Sequence, residues 1–227
     1  MIFAIGDLHF DNTGEKPMDI FGENWINHEG KIIDSWKSII KEDDLVLLAG
    51  DTSWALKLED AYEDLLKIDE LPGEKIIIKG NHDYWWNSLR KLNNLELETI
   101  KFLQNNSFIY NNIGIVGTRG WSAIDSNIAD EKDYKVFNRE LNRLRLSLDS
   151  LKEDVEKILA ILHYPPFNPD LSSNEFIDIM KEYNVDICIY GHLHSGGHKY
   201  AVEGIVEGIN IHCISSDYID FVPKKIL

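Results

Sequence analysis

Five runs of apolar residues, each followed at once by a short polar motif, constrain this chain more than any other feature. Ile2-Phe3-Ala4-Ile5 leads into Asp7-Leu8-His9, and Leu45-Val46-Leu47-Leu48-Ala49 into Gly50-Asp51. Ile76-Ile77-Ile78 leads into Gly80-Asn81-His82-Asp83, and Ile158-Leu159-Ala160-Ile161-Leu162 into His163. Ile187-Cys188-Ile189-Tyr190 leads into Gly191-His192-Leu193-His194. Short runs rich in Ile, Val and Leu read as strands buried on both faces. In open α/β sheets, ligands gather beyond the carboxyl ends of the strands. Two Asp, one Asn and five His, spread from position 7 to position 194, are therefore expected to meet along one sheet edge. Carboxylate, amide and imidazole donors in that number are a metal-ligand set.

The spread of these motifs also argues for one domain over residues 1–227, because the site needs strands from both ends of the chain. At 227 residues a two-layer or sandwiched core is readily built. The formal charge of -16 sets partners apart: nucleic acid and anionic membranes are repelled at long range. Two divalent ions leave that balance strongly negative, although cations in a cleft can still draw in a phosphate. Met1 runs directly into the first apolar segment, with no basic region or cleavage site, and no stretch reaches the roughly 20 apolar residues of a membrane helix. The chain is accordingly read as soluble and cytoplasmic. Cys188 and Cys213 lack CxxC spacing and read as buried free thiols.

Along the chain, Ile26, Ile32, Ile33, Trp36, Ile39 and Ile40 recur at helical spacing between Trp25 and Lys41. A strand at 45–49, a helix near 57–69 stopped by Pro72-Gly73, and a strand at 75–79 follow. Strand–helix alternation of this kind indicates parallel pairing. Ser107–Tyr110 and Ile113–Val116 flank Asn111-Asn112 as a tight hairpin. Within 133–157, Leu141, Leu144, Leu148, Leu151 and Val155 fit one long helix or two shorter ones. A strand at 158–162, a helix near 173–183 and a strand at 186–190 resume the alternation. Short β-prone runs from Tyr200 to Val222 suggest antiparallel strands. The whole reads as α/β, with two sheets packed face to face.

Taken singly the motifs are weak, since an Asp after a strand is commonly a turn or cap residue. Taken in order, D-x-H, G-D, G-N-H-D, H and G-H-x-H, they resemble the signature of the calcineurin-like metallophosphoesterase superfamily over nearly the whole chain. The resemblance implies a four-layer α/β/β/α sandwich with two mixed β-sheets. It assigns Asp7, His9 and His194 to one divalent metal ion and Asn81, His163 and His192 to a second, with Asp51 bridging both. It further implies hydrolysis of phosphate esters by a metal-bridging hydroxide, with His82 meeting the leaving group as general acid. A hydrogen bond from His82 to a ligand is the alternative. Mixed N/O donors suit Mn, Fe, Zn or Ni better than Ca.

Other residues admit two readings each. Asp83 reads foremost as the cap of a helix starting near Tyr84, and otherwise as a hydrogen-bond acceptor beside the ligands. Trp54, Trp85, Trp86 and Trp121 could form an aromatic wall against substrate or simply pack in the core. Arg119, in a Gly-flanked loop, could clamp a phosphate or be a solvated charge. His28, His198 and His212 read as surface or core residues. Thr52-Ser53-Trp54 after Asp51 departs from the protein Ser/Thr phosphatase branch and favours a bacterial-type phosphohydrolase of small mono- or diesters. A catalytically silent protein-binding scaffold and a nuclease of the same superfamily are the competing readings; the intact ligand set opposes the first and the acidic balance the second.

Overall fold

Alternate residues of each central strand enter different cores, and this alternation builds the layers. The computed structural model describes residues 1–123 and 130–227. In one sheet β1 (Ile2–Ile5), β2 (Leu45–Leu48), β3 (Glu74–Ile77) and β4 (Ile100–Phe102) lie side by side and parallel, with β11 (Lys224–Lys225) antiparallel on the far side of β1. The second sheet runs β5 (Phe108–Tyr110), β6 (Ile113–Thr118), β7 (Lys157–Leu162), β8 (Ile187–Tyr190), β10 (Ile209–Cys213), β9 (Gly204–Val206). Its four inner strands are parallel, and each edge strand is antiparallel to its neighbour.

Ile2 and Ala4 of β1, Leu45 and Leu47 of β2, Leu159 and Ile161 of β7, and Ile187 and Ile189 of β8 share the core between the sheets. Their alternates point outward. Phe3, Ile5, Val46 and Leu48 pack against Ile32 and Trp36 of α1 (His28–Ile39) and Leu65 and Ile68 of α2 (Leu58–Asp69). On the opposite side Ala160, Leu162, Cys188 and Tyr190 meet Phe137, Leu144 and Leu148 of α4 (Glu131–Ser150) and Phe176 and Met180 of α5 (Glu175–Glu182). A remaining helix, α3 (Leu89–Leu92), is a single turn. The four-layer α/β/β/α sandwich with two mixed sheets is the arrangement expected. Each buried Leu or Ile on these strands contributes about 1.5–3 kcal/mol, which is why the strands can be apolar throughout. No described helix is long and apolar enough to cross a membrane. Cys188 and Cys213 are free and buried.

Several boundaries differ from expectation. The first helix starts at His28, because Glu23–Trp25 form a separate 3-10 turn and Asn27 takes a left-handed φ of 54°. Ile26 consequently stands exposed. The 133–157 segment is one helix, begun by a reciprocal capping box between Asp130 and Asp133, and it ends before Leu151. In the tail, β9 and β10 are antiparallel as expected, yet β10 lies parallel to β8. The connection over 191–208 is long enough to return the chain to the opposite sheet end.

Lys75, in β3, is fully buried, and its side chain closes the carboxyl end of α2. Its ammonium donates to the carbonyls of Asp69 (3.1 Å) and Leu71 and to Thr99 Oγ1 (2.9 Å). Burial pushes this ammonium down to about 8. Lys75→Met, which keeps the volume and removes the donors, should cost about 1–3 kcal/mol in denaturant unfolding. In the wild type the unfolded chain retains this proton to higher pH than the fold does, so stability should rise between pH 8 and 10.5. A Lys75→Met curve with the same rise would refute the assignment.

Candidate metal centre

Each motif sits just past the carboxyl end of a parallel strand: Asp7 and His9 after β1, Asp51 after β2, Asn81 and His82 after β3, His163 after β7, and His192 and His194 after β8. Loops from the two sheets are tied to one another there. Asp7 Oδ2 accepts the His192 N–H (2.9 Å), and His163 Nδ1 lies 2.9 Å from the Ala49 carbonyl. Two glycines make room for this. A Cβ on Gly80 would collide with Asp51 Oδ1, and one on Gly191 would come within 2.6 Å of Asp7 Oδ2. Asp7, His9, Asp51 and His192 all adopt left-handed backbone, with φ of 58°, 49°, 51° and 74°. For non-glycine residues that conformation costs about 1–3 kcal/mol each and is typical of functional sites.

The side chains form two overlapping groups. Asp7 Oδ1 lies 3.6 Å from His194 Nε2, and Asp7, His9 and His194 present donors within 4.8 Å of one another. Asn81 Oδ1 lies 2.6 Å from His163 Nε2 and 2.9 Å from His192 Nδ1. Between them stands Asp51, whose Oδ2 is 3.8 Å from His9 Nε2 and 3.6 Å from His163 Nε2. Asp7, Asp51 and His163 also satisfy the spacing of a metal site, so the two groups share residues.

The donors fit cations. Asp7 Oδ1, His9 Nδ1 and His194 Nε2 are buried and have no hydrogen-bond partner among the described residues. The His163 Nδ1–H donates to a carbonyl, and the His194 Nδ1–H donates to Asp217 Oδ1 (2.8 Å); both rings therefore turn Nε2 inward, where a cation would take the place of any proton. Charge balance points the same way. Burial, reinforced by Asp7, pushes the Asp51 carboxyl up to about 8. Burial opposes a charge on His194, but Asp7 and Asp217 prevail and lift it to about 10. Burial and His163 push His192 down to about 3. Two ionised carboxylates this close demand positive charge between them, and divalent ions would supply it.

Asp83 does not cap a helix, since the following residues form turns and the next helical turn begins only at Leu89. It is fully buried and gathers the N–H groups of Gly80 (2.7 Å), Asp51 (2.9 Å), Thr52 (2.9 Å) and Ser53 (3.3 Å). This carboxylate locks the Gly50-Asp51 and Gly80-Asn81 loops together. Trp85 takes the core reading and not the substrate one: it is 1% exposed in the outer core, its indole donating to Asp83 (3.0 Å), and it has no face to offer a substrate. Trp54 does reach the site, stacked on His9 with centroids 4.6 Å apart and 4.5 Å from the His82 ring. Trp86 is tilted against Trp85 and hydrogen-bonds Gln104 (2.6 Å). Trp121 lies farther out, against Tyr164, whose ring is 4.2 Å from that of His192. Arg119 is not a solvated charge: its guanidinium lies over Trp121 (4.6 Å) and pairs with Glu140 (3.4 Å). His28 donates toward the His9 carbonyl (3.1 Å), and His212 lies in β10.

Asp217 is the residue the sequence reading missed. It holds His194 Nδ1 and the Ser195 N–H (3.0 Å), and His198 Nε2 lies 3.1 Å from its other oxygen. Like the ligands it lies beyond the carboxyl end of a parallel strand, here β10. Asp217→Ala should weaken metal uptake about 10–100-fold, the usual effect of removing the carboxylate behind a ligating His. Calorimetric metal titration checks this; an unchanged affinity would show that His194 is oriented without it.

A two-sheet α/β sandwich with carboxylate, amide and imidazole donors converging beyond its strand ends is the framework of a metal-dependent hydrolase. This chain belongs to the calcineurin-like phosphoesterase family, whose model matches residues 1–196. Among solved structures it is similar to TT1561 of Thermus thermophilus (14% identity, 92% of this chain and 86% of that one, TM-score 0.58). It is similar also to a protein of unknown function from Aquifex aeolicus (18% identity, 99% and 94%, TM-score 0.53). A third is GAP50, the anchor in the inner membrane complex of Plasmodium (13% identity, 95% and 71%, TM-score 0.53). At these identities the likeness is one of fold. No curated protein sequence matches the chain significantly.

Proposed function

We propose that this protein is a dinuclear metal-dependent phosphoesterase of small substrates. Asp7, His9 and His194 would hold one ion, Asn81, His163 and His192 the other, and Asp51 would bridge them. The position of Asp51 Oδ2, within 4 Å of an imidazole nitrogen from each group, carries this reading. Two divalent ions held by these residues would supply charge neutralisation for the phosphoryl oxygens and acidify water toward neutrality. Mn, Fe, Zn and Ni all suit these donors.

The chain's own side chains do the rest. Asp217 and the Ala49 carbonyl fix the His194 and His163 rings, so neither ligand needs to reorient when substrate arrives. Asp83 fixes the loops that carry Asp51 and Asn81. Among the described residues the His82 side chain makes no hydrogen bond; its main-chain N–H donates to Asp51 Oδ1 (2.7 Å), which leaves the half-buried ring able to hold a proton toward the departing oxygen. Trp54 covers both His9 and His82 and shields that proton from bulk water. The charge of -16 favours a small phosphate ester over nucleic acid.

The test is metal analysis combined with assays of p-nitrophenyl phosphate and its bis-ester across Mn²⁺, Fe²⁺, Zn²⁺ and Ni²⁺. Two ions per chain and turnover of at least one ester are expected. A fully metallated chain inert toward both would overturn the assignment and favour a silent scaffold.

A further inference from the structure

Beyond the ends of β3, β4 and β6 lies a cavity of about 360 Å³ that contains none of the proposed metal ligands. That volume is within the range of about 300–1,000 Å³ found for small-molecule sites. Lys79, Arg119 and Arg143 line it, against one carboxylate, Glu140. Glu140 is fully buried, and its Oε1 is shared among Arg143 (2.7 Å), Arg119 (3.4 Å) and Arg139 (3.7 Å), while its Oε2 accepts from Thr118 Oγ1 (2.7 Å). Among the described residues the Lys79 ammonium has neither a hydrogen bond nor an ion pair. In a chain of net charge -16, a cavity where cations outnumber their counter-charge is unusual, and it is desolvated enough to make an anion worth holding.

The cavity is anchored to the metal centre on two sides. Lys79 precedes Gly80-Asn81, and the Arg119 carbonyl accepts the N–H groups of both His163 and Tyr164 (3.0 Å each). Its third wall, Trp86-Asn87-Ser88, continues the chain from the His82 turn. Anything held there would reach the centre by a short bridge. We infer that this cavity binds a second anionic group of the substrate, so that the substrate is a small phosphate ester carrying another phosphate or a carboxylate. The inference rests on the phosphoesterase reading for the role of the first phosphate.

The test uses non-hydrolysable probes on the metal-loaded protein. Dissociation constants of α,ω-alkane bisphosphonates with two to six carbons are compared with that of methylphosphonate, alongside the matching phosphonocarboxylates. An optimal length should bind about tenfold to a hundredfold more tightly than methylphosphonate. The better of the two series distinguishes phosphate from carboxylate. Arg143→Ala and Lys79→Met should each collapse that ratio, and two variants guard against one failing to fold. No preferred length, or a ratio untouched by either substitution, overturns the inference. Turnover of p-nitrophenyl phosphate without a bisphosphonate preference sinks the second-anion site and leaves hydrolysis standing; a preference without turnover does the reverse.

Discussion

Asp51→Asn is expected to leave a folded protein that takes up metal poorly and no longer hydrolyses phosphate esters. The substitution keeps shape and removes one charge at the position that both ligand groups share. Removing one partner from a buried charge cluster costs about 3–5 kcal/mol, or about two to four orders of magnitude in affinity at 1.4 kcal/mol per tenfold. The fold itself should not suffer. Burial and Asp7 push the Asp51 carboxyl up to about 8, so the metal-stripped wild type holds it largely protonated at neutral pH, much as an amide would be. A carboxyl whose pKa is raised by folding lends stability below its unfolded value of 3.8 and loses it as pH climbs through 8. Metal-stripped wild type should therefore lose stability across that window, and Asp51→Asn should lose less. Elemental analysis, metal titration and thermal melts in chelator measure all of this. Two tightly bound ions in Asp51→Asn would remove the basis for a bridging role.

The second large effect concerns His82. His82→Ala should slow alkyl phosphate hydrolysis about 10²–10⁴-fold, the span of general acid catalysis. With p-nitrophenyl phosphate, whose departing phenolate needs little protonation, the loss should be far smaller. Burial and then His163 hold the His82 imidazole below its ordinary range, so its proton is lost early as pH rises. Wild-type rates on alkyl esters should accordingly fall with increasing pH more steeply than rates on the aryl ester, and His82→Ala should erase that difference. Equal defects on both substrate types would instead make His82 a support for the ligands, through the packing of its ring against His9 and Trp54.

The central strands were legible because both their faces are buried, which forces unbroken apolar runs such as Leu45–Leu48 and leaves the polar motif at each end conspicuous. The Asn111-Asn112 hairpin was legible for a local reason: both residues take left-handed φ, 47° and 64°, as a tight two-residue turn requires. β4 and β11 were not, since strands of two or three residues containing Lys carry no run to read. Asp83 misled because a carboxylate after a turn looks like a cap, and only the folded loops show four main-chain N–H groups converging on it. Asp217 was missed through direction: a tail read as antiparallel would end away from the site, whereas β10 runs with β8 and delivers Asp217 beside His194. Lys79 and Arg143 lie far apart in sequence and share a cavity only once two sheets and a helix assemble.

The left-handed backbone at Asp7, His9, Asp51 and His192 sets a limit on how heat-resistant such a protein can become without ceasing to work. Glycine would relax each of these positions, so a search for thermostable variants that ignored turnover should drift toward glycine there, shedding the proposed metal ligands as it went. Robustness and chemistry pull against each other at the same four places in the chain.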